Sequence, residues 1–441
     1  MEMKRRPGII IIATFLILLL MVSCGSEEED LSPDDREPKQ VDLKVLYSQT
    51  GKTIMSYGGG NEDGYYNVIP RMWNLEEQFN DHEIDGNIVY LDYATNTRVY
   101  LCQDPSCRHN TEDCTSFIKA SSNVIVFPAN DKLICFRFGI DAAASQDDLC
   151  AVILMDLNGR NREIVTLSAS QSFALPLVVA SDGEKIYFQV TESQKEADGI
   201  KTVKAIYSVN LNTKELIKVA DTPNQYCLFS AYDEFLVLFD YVNMENITYS
   251  VSDNTFESRI KGVSGLYNGN LSIDLKYDID VGGDPIKVLE AKSITIIVTD
   301  IRDNSVKTYG PFDLEDDHGA GVSLNDCYDE HICIGYVINV SSEEPLQVFY
   351  TLDLATGEYT KNTLYITDNG ETVPSSIIAD AGDRYLVSYN SKDMTRTIFD
   401  RKGVSHTVEY KGCACYALIS KEDFYSNTVN YLPTNDMVYE Q

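Results

Sequence analysis

The densest chemistry in this 441-residue sequence lies in thirteen residues, Cys102-Gln-Asp-Pro-Ser-Cys107-Arg-His109-Asn-Thr-Glu-Asp-Cys114. Three thiols and one imidazole equal the donor count of a tetrahedral structural zinc site. Pro105 and its polar neighbours predict a loop that can wrap one ion. The spacing differs from the paired C-x-x-C knuckle, and three readings stand side by side. One is a closed metal site on Cys102, Cys107, His109 and Cys114, with no position left for water. Another is a disulfide between two of the three cysteines, the form that persists in oxidising compartments. The third is a set of free thiols. The odd cysteine count argues for metal, because a disulfide leaves one thiol over. In each reading the cluster is structural rather than catalytic.

A second reactive position is Cys24. Lys4, Arg5 and Arg6 precede an apolar run over residues 9–22 that only Thr14 interrupts, and Ser23 and Cys24 follow. This is the three-part layout of an export signal. The run is shorter than the roughly 20 residues of a spanning helix. Met21-Val22-Ser23-Cys24 resembles the lipobox of bacterial lipoproteins, which implies cleavage before Cys24 and acylation of its thiol. Two or more acyl chains on one residue give stable anchoring where one chain does not. Residues 25–40 are charged and almost free of apolar side chains. Such a segment buries too little surface to offset its ordering entropy. The expected organisation is a lipoprotein signal peptide over 1–23, a lipidated Cys24 with an acidic flexible tether over 24–45, and one domain over 46–441. The location implied is the extracytoplasmic face of the bacterial cell membrane.

Other catalytic signatures are missing. Gly262-Val263-Ser264-Gly265-Leu266 comes closest to the G-x-S-x-G elbow and fails at the last glycine. There is no P-loop and no dinucleotide-binding glycine fingerprint. Trp73 is the single tryptophan, too few for tryptophan-docked quinone propellers, and no sialidase-type Asp-box is present. Asp156-Leu-Asn158-Gly159-Arg-Asn161 lacks the bidentate glutamate of a calcium loop and reads as a turn. The run Glu315-Asp316-Asp317-His318 reads as solvated loop. A formal net charge of −32 is the reverse of a nucleic-acid footprint, so nucleic acid is excluded as a partner.

The framework that must position the cluster is β structure. One pattern recurs seven times: an alternating apolar strand, a short polar turn and a second strand. The turns open at Asp92, Asp156, Asn210, Ser252, Asp300, Asp353 and Asp400. A carboxylate or amide there can accept a hydrogen bond from a backbone amide two residues on. Further strand pairs at 124–127 and 133–138, 175–179 and 185–190, and 322–324 and 331–337 precede three of these hairpins. Four strands per unit at a spacing of about 50 residues is the blade of a β-propeller. The fold class is therefore all-β: a seven-bladed β-propeller closed by N- and C-terminal strands. The hairpin at Asp92 lacks an evident inner pair, and residues 416–419 and 424–425 look like a spare one. Joining the two completes a seventh blade and removes the open edges.

The hairpin Ile-Tyr-Ser-Val-Asn-Leu-Asn-Thr-Lys-Glu-Leu at 206–216 resembles those of TolB-like extracytoplasmic propellers. Residues 100–114 and 418–432 resemble a group of surface lipoproteins of Clostridia-type bacteria with no settled function. That resemblance supports architecture and location and implies no activity. The functional expectation is a membrane-anchored module that binds or scaffolds a surface peptide, glycan or partner protein. The alternative is a carboxylate-based hydrolase acting on surface glycans or peptides, marked by two carboxylates about 5–10 Å apart in a pocket.

Overall fold

The computed structural model describes residues 41–49, 58–71, 85–119, 124–139, 149–196, 199–261, 265–280, 285–319, 321–342, 344–368 and 371–439. Cys24, the export signal and most of the acidic segment lie outside the described residues. Among the described residues, no helix is long and apolar enough to cross a membrane.

Seven antiparallel blades follow one another along the chain. Blade 1 holds Gly59–Gly60, Gly64–Pro70, Gly86–Asp92 and Thr97–Tyr100. Blade 2 holds Val124–Ala129, Lys132–Arg137, Ala151–Asp156 and Glu163–Thr166. Blade 3 is built from Val178–Ser181, Lys185–Glu196, Gly199–Asn210 and Leu216–Thr222, with Lys44–Ser48 paired to its inner strand. Blade 4 is Tyr226–Tyr232, Phe235–Asp240, Glu245–Ser250 and Thr255–Lys261. Blade 5 is Leu266–Asn268, Leu271–Tyr277, Ser293–Asp300 and Val306–Asp313. Blade 6 is Ser323–Tyr328, His331–Ile338, Leu346–Asp353 and Tyr359–Asn362. Blade 7 is Ser376–Ala381, Arg384–Phe399, Ser405–Ser420 and Leu432–Pro433.

The central strands of a blade are covered on both faces by the neighbouring blades. They read as unbroken apolar runs for that reason: in blade 2, residues Leu133 to Phe136 and Ala151 to Met155 are all buried. Its outer strand, Glu163–Thr166, keeps only Val165 inside. The core therefore lies between blades. Val124 and Leu133 of blade 2 pack with Tyr66 and Ile88 of blade 1, and Phe136 of blade 2 packs with Phe188 of blade 3. The ring closes through the same kind of layer, in which Tyr65, Leu91 and Tyr93 of blade 1 meet Ala379, Leu386 and Leu418 of blade 7.

Closure departs from the sequence-based expectation in its details. Blade 1 owns two inner strands, the shorter of them Gly59–Gly60. Residues 416–419 sit inside the third strand of blade 7, and 424–425 end a short helix, Lys421–Tyr425. Ser420 caps that helix by accepting from the Asp423 amide at 3.0 Å, so the apolar pair Phe424-Tyr425 is helical rather than extended. The terminal strand that does close the ring is Asn435–Asp436, which pairs in parallel with Thr97 and Arg98 at the outer edge of blade 1.

The seventh turn also falls in a different place. The turns at Asp92, Asp156, Asn210, Asp300 and Asp353 join third to fourth strands, whereas Asp400 joins the second to the third. Both strands around Asp400 have 16 residues, longer than the strands of a typical blade, and their outer halves form a hairpin arm. Asp400 shares with Asp92, Asn210, Asp300 and Asp353 the bond from the amide two residues on, and accepts also from the Val404 amide. Turn chemistry alone therefore does not reveal which strands a turn connects.

Candidate metal centre

Because each blade is an antiparallel meander, its second-to-third connection and the exit from its fourth strand lie on one face of the ring. The Cys/His loop leaves blade 1 on that face, directly after Thr97–Tyr100. Both of its ends are pinned to the sheet. Leu101 donates to the Ile88 carbonyl at 3.0 Å, and the Ile88 amide donates to Ser116 at 2.7 Å. Phe117 and Ile118 then pair with Asn87 and Gly86.

Between these anchors the chain folds back through two tight turns. The Cys107 amide donates to the Asp104 carbonyl, and the Asp104 carboxylate accepts from the amide and hydroxyl of Ser106 at 2.8 and 2.7 Å. The Cys114 amide donates to Thr111. His109 sits at φ +52°, a left-handed conformation uncommon outside glycine, which turns its ring toward the cysteines. The sulfurs of Cys102, Cys107 and Cys114 and a ring nitrogen of His109 consequently lie within 4.8 Å of one another. Nδ1 of His109 is 3.3 Å from Sγ of Cys114. A tetrahedron with arms of about 2.3 Å has edges of about 3.8 Å, so the four donors fit around one ion with small adjustment. No disulfide joins any of the ten cysteines among the described residues.

The surroundings act unequally on the thiols. The backbone amides of His109 and Ser116 point at Sγ of Cys107 and Cys114, at 3.3 and 3.4 Å. Burial raises the Cys102 thiol, but the Asp104 amide and the thiols of Cys114 and Cys107 outweigh it and hold the group below its ordinary value. Burial pushes Cys114 up to about 12, against the opposing Ser116 amide. Burial, with Arg396 and Arg71 nearby, lowers His109 to about 4, so its imidazole is neutral and keeps a lone pair for a metal. Three thiolates and one imidazole around a divalent ion carry one net negative charge. Arg71 and Arg162 both act electrostatically on Cys114, and their positive charge would oppose that of the loaded site.

Blades 2 and 7 hold the loop from outside. Arg162 of blade 2 donates to the carbonyls of Thr115, Phe117 and Gly159. Gly159, at φ +78°, approaches so closely that a Cβ there would stand 2.2 Å from the Thr115 carbonyl. The motif around Asp156 is thus a turn, and its glycine leaves room for the loop. Asp156 itself accepts from Lys132 and Asn161. On the other side, Arg396 of blade 7 is buried against Asn87 and Tyr100, the two residues that touch His109, and sequence reading missed it. The arginine lies 309 positions from Asn87, in a strand whose pattern carries no trace of the contact.

Other sequence-level features resolve more simply. Cys135 faces Ile153 across blade 2, and the Cys150 sulfur accepts from the Gly139 amide at 3.0 Å. Cys327 and Cys333 stand on neighbouring strands, with Cys327 opposite Ile332. The acidic run at 315–318 is more than solvated loop. Glu315 accepts from Tyr350 and Lys361 at 2.5 Å, and His318 is buried against the carbonyls of Ala291 and Gly319.

No protein-family model matches this chain. No curated protein matches it either. Among solved structures it is similar to an acylaminoacyl peptidase of Pyrococcus horikoshii, at 12% identity and a TM-score of 0.45, over 84% of this chain and 52% of that one. It is also similar to the β-propeller domain of the trilobed protease of Pyrococcus furiosus, at 11% identity and a TM-score of 0.39, over 68% of this chain and 89% of that one. A third is oligogalacturonate lyase from Vibrio parahaemolyticus, at 10% identity and a TM-score of 0.37, over 85% of this chain and 92% of that one. This chain spans about half the length of the acylaminoacyl peptidase. At such identities the likeness is one of fold, and no activity transfers with it.

Proposed function

We propose that this chain is an extracytoplasmic lipoprotein of the type its cysteine loop resembles, anchored through Cys24. In this reading its propeller serves as a binding or scaffold module for a surface peptide, glycan or partner protein. Cys102, Cys107, His109 and Cys114 hold one structural zinc ion, and no step of chemistry passes through it.

One observation supports the binding role above the others. Where the second strand turns into the third in blades 3 to 7, an apolar side chain faces solvent: Ile200 at the start of its third strand, and Val242, Leu289, Val340 and Val404 in the connections, each 41–72% exposed. All five belong to the same face of the ring. Recurrence at one topological place in five blades marks a contact surface better than scattered exposure does.

The anchor is tested by Cys24→Ala. Incorporation of labelled palmitate should vanish, and the protein should move from the membrane to the soluble fraction. Retained label in the alanine variant rejects the anchor. The binding face is tested by photo-crosslinking on intact cells, with the probe placed at Val242 or Leu289. Controls carry the probe at Ile164 or Val306 on outer strands. Adducts confined to the first pair are expected. Equal labelling from both pairs, or none, rejects the face. Release of reducing ends from cell-wall glycan by the purified chain replaces binding with the hydrolase reading.

A further inference from the structure

We propose that the metal centre is the clasp of the propeller ring: an ion on Cys102, Cys107, His109 and Cys114 locks the hairpin arm of blade 7 onto blade 1. The inference rests on the metal reading above and adds what the metal controls.

The argument runs through His109. Its carbonyl accepts from Asn87 Nδ2 at 3.0 Å, and its ring stacks on Tyr100 with centroids 4.2 Å apart. Both of those partners are held by one residue of the arm. Arg396 Nη2 donates to Asn87 Oδ1 at 2.8 Å, and Arg396 Nε donates to the Tyr100 hydroxyl at 2.8 Å. A third donor, Nη1, reaches the Pro70 carbonyl at 3.0 Å. The guanidinium is buried and engages blade 1 through all three nitrogens.

The loop also grips the arm directly. Asn110 Nδ2 donates to the Asp400 carbonyl at 2.7 Å. The Arg108 guanidinium lies 5.0 Å from the Phe399 ring centroid, and its Nη1 is 3.4 Å from the Gly403 carbonyl. Both residues flank the ligand His109, so their placement depends on the loop being folded. Burial of its own side chains adds little to that folding. From Gln103 to Asp113 no residue of the loop is buried, so no apolar core of its own holds this segment. An ion is what usually supplies that missing cohesion in a segment too short to bury a core. Free sulfurs leave the loop to its turns, its pinned ends and the contacts of His109 with Asn87 and Tyr100, with His109 held at positive φ.

Two states therefore differ in a way that metal senses. With the loop folded, Arg108, Asn110, Tyr100 and Asn87 are aligned to receive the arm. With the loop loose, the arm loses Arg108 and Asn110, and the seam relies on Arg396 against the strands of blade 1, the Arg401–Asp85 ion pair, the apolar layer and the terminal strand. Metal binding and arm docking are then linked, and the linkage is reciprocal: whatever docking gains from the ion, the ion gains from docking.

The test uses the whole folded chain, purified anaerobically, with zinc(II) as the probe. Hydrogen exchange is followed by mass spectrometry before and after zinc is removed by chelation. Zinc should slow exchange of residues 391–410 about tenfold, within the usual range for coupled sites, and leave residues 235–250 of blade 4 unchanged. Phe399→Ala lies far from the ligands in sequence and should weaken zinc binding about tenfold, by the same linkage. Asn110→Ala should act in the same direction from the loop side. One zinc per chain, with unchanged exchange in the arm and unchanged affinity in both variants, overturns the clasp and leaves the metal site standing. Absence of zinc from the wild-type chain, with three freely reactive thiols in the loop, overturns the metal reading and the clasp together.

Discussion

Cys107 and Cys114 show how unequal the four donors are. Cys107 is half-buried at the lip of the loop, while Cys114 is buried and receives the Ser116 amide. Cys107→Ser should fold, because little packs on that sulfur, yet it leaves three donors where a closed shell needs four. Zinc content should fall from one per chain to well below half, and chelator should no longer lower the thermal midpoint. Cys135→Ser, inside blade 2, should keep its zinc. Elemental analysis beside a denaturing thiol count decides between these outcomes, and a Cys107→Ser variant that still holds one zinc removes that sulfur from the site. The donors were legible in the sequence because all four sit in one uninterrupted loop, where spacing substitutes for geometry. Their supports were not. Asn87, Tyr100 and Arg396 are ordinary residues in strands, and only closure of the ring brings Arg396 to the other two.

At the level of single elements, turn chemistry was the best guide to the strands. Asp92, Asn210, Asp300, Asp353 and Asp400 each accept from the amide two residues on. The role expected of Ser252 falls instead to Ser250, whose hydroxyl accepts from Asp253. Local chemistry fails to number the strands, which is why Asp400 fits the pattern while sitting one strand out of phase. Asp300 adds a side-chain ion pair to its turn. The Arg302 side chain, with help from its own backbone amide, holds the Asp300 carboxyl down to about 2. An unfolded aspartate titrates near 3.9. The folded state thus binds fewer protons than the unfolded one between these values. The stabilisation is complete above about pH 4 and drains away as pH falls toward 2. Asp300→Asn should lower the thermal midpoint at pH 6 and flatten its decline over that acid range. A variant whose midpoint falls with pH as steeply as the parent's removes Asp300 from the acid response.

On the scale of the whole molecule, the ring is held shut by the apolar layer between blades 7 and 1 and by the terminal strand. Arg98 and Asp436 form an ion pair at 2.9 Å across that strand, with side chains only 5% and 15% exposed. Removing one partner of a buried pair strands the other charge, at a cost of about 3 kcal/mol. Asp436→Ala should shift the denaturant midpoint accordingly, and an unmoved midpoint means that the terminal strand adds nothing to closure. Blade number was readable from repeats, since each blade restates the same apolar rhythm, whereas the closing strand, expected at 416–419 and 424–425, lies at Asn435–Asp436. The long arm was not readable, because its extra length serves contacts with blade 1 rather than any pattern of its own. The arm also imposes an order on biosynthesis. A chain made from its N-terminus presents the three loop sulfurs long before Arg396, 309 positions after Asn87, exists to dock beside the loop. During that interval the thiols stand open to oxidants and to competing soft metals. Early zinc delivers a loop ready for its last blade, whereas early oxidation leaves the final 50 or so residues with a misfolded partner.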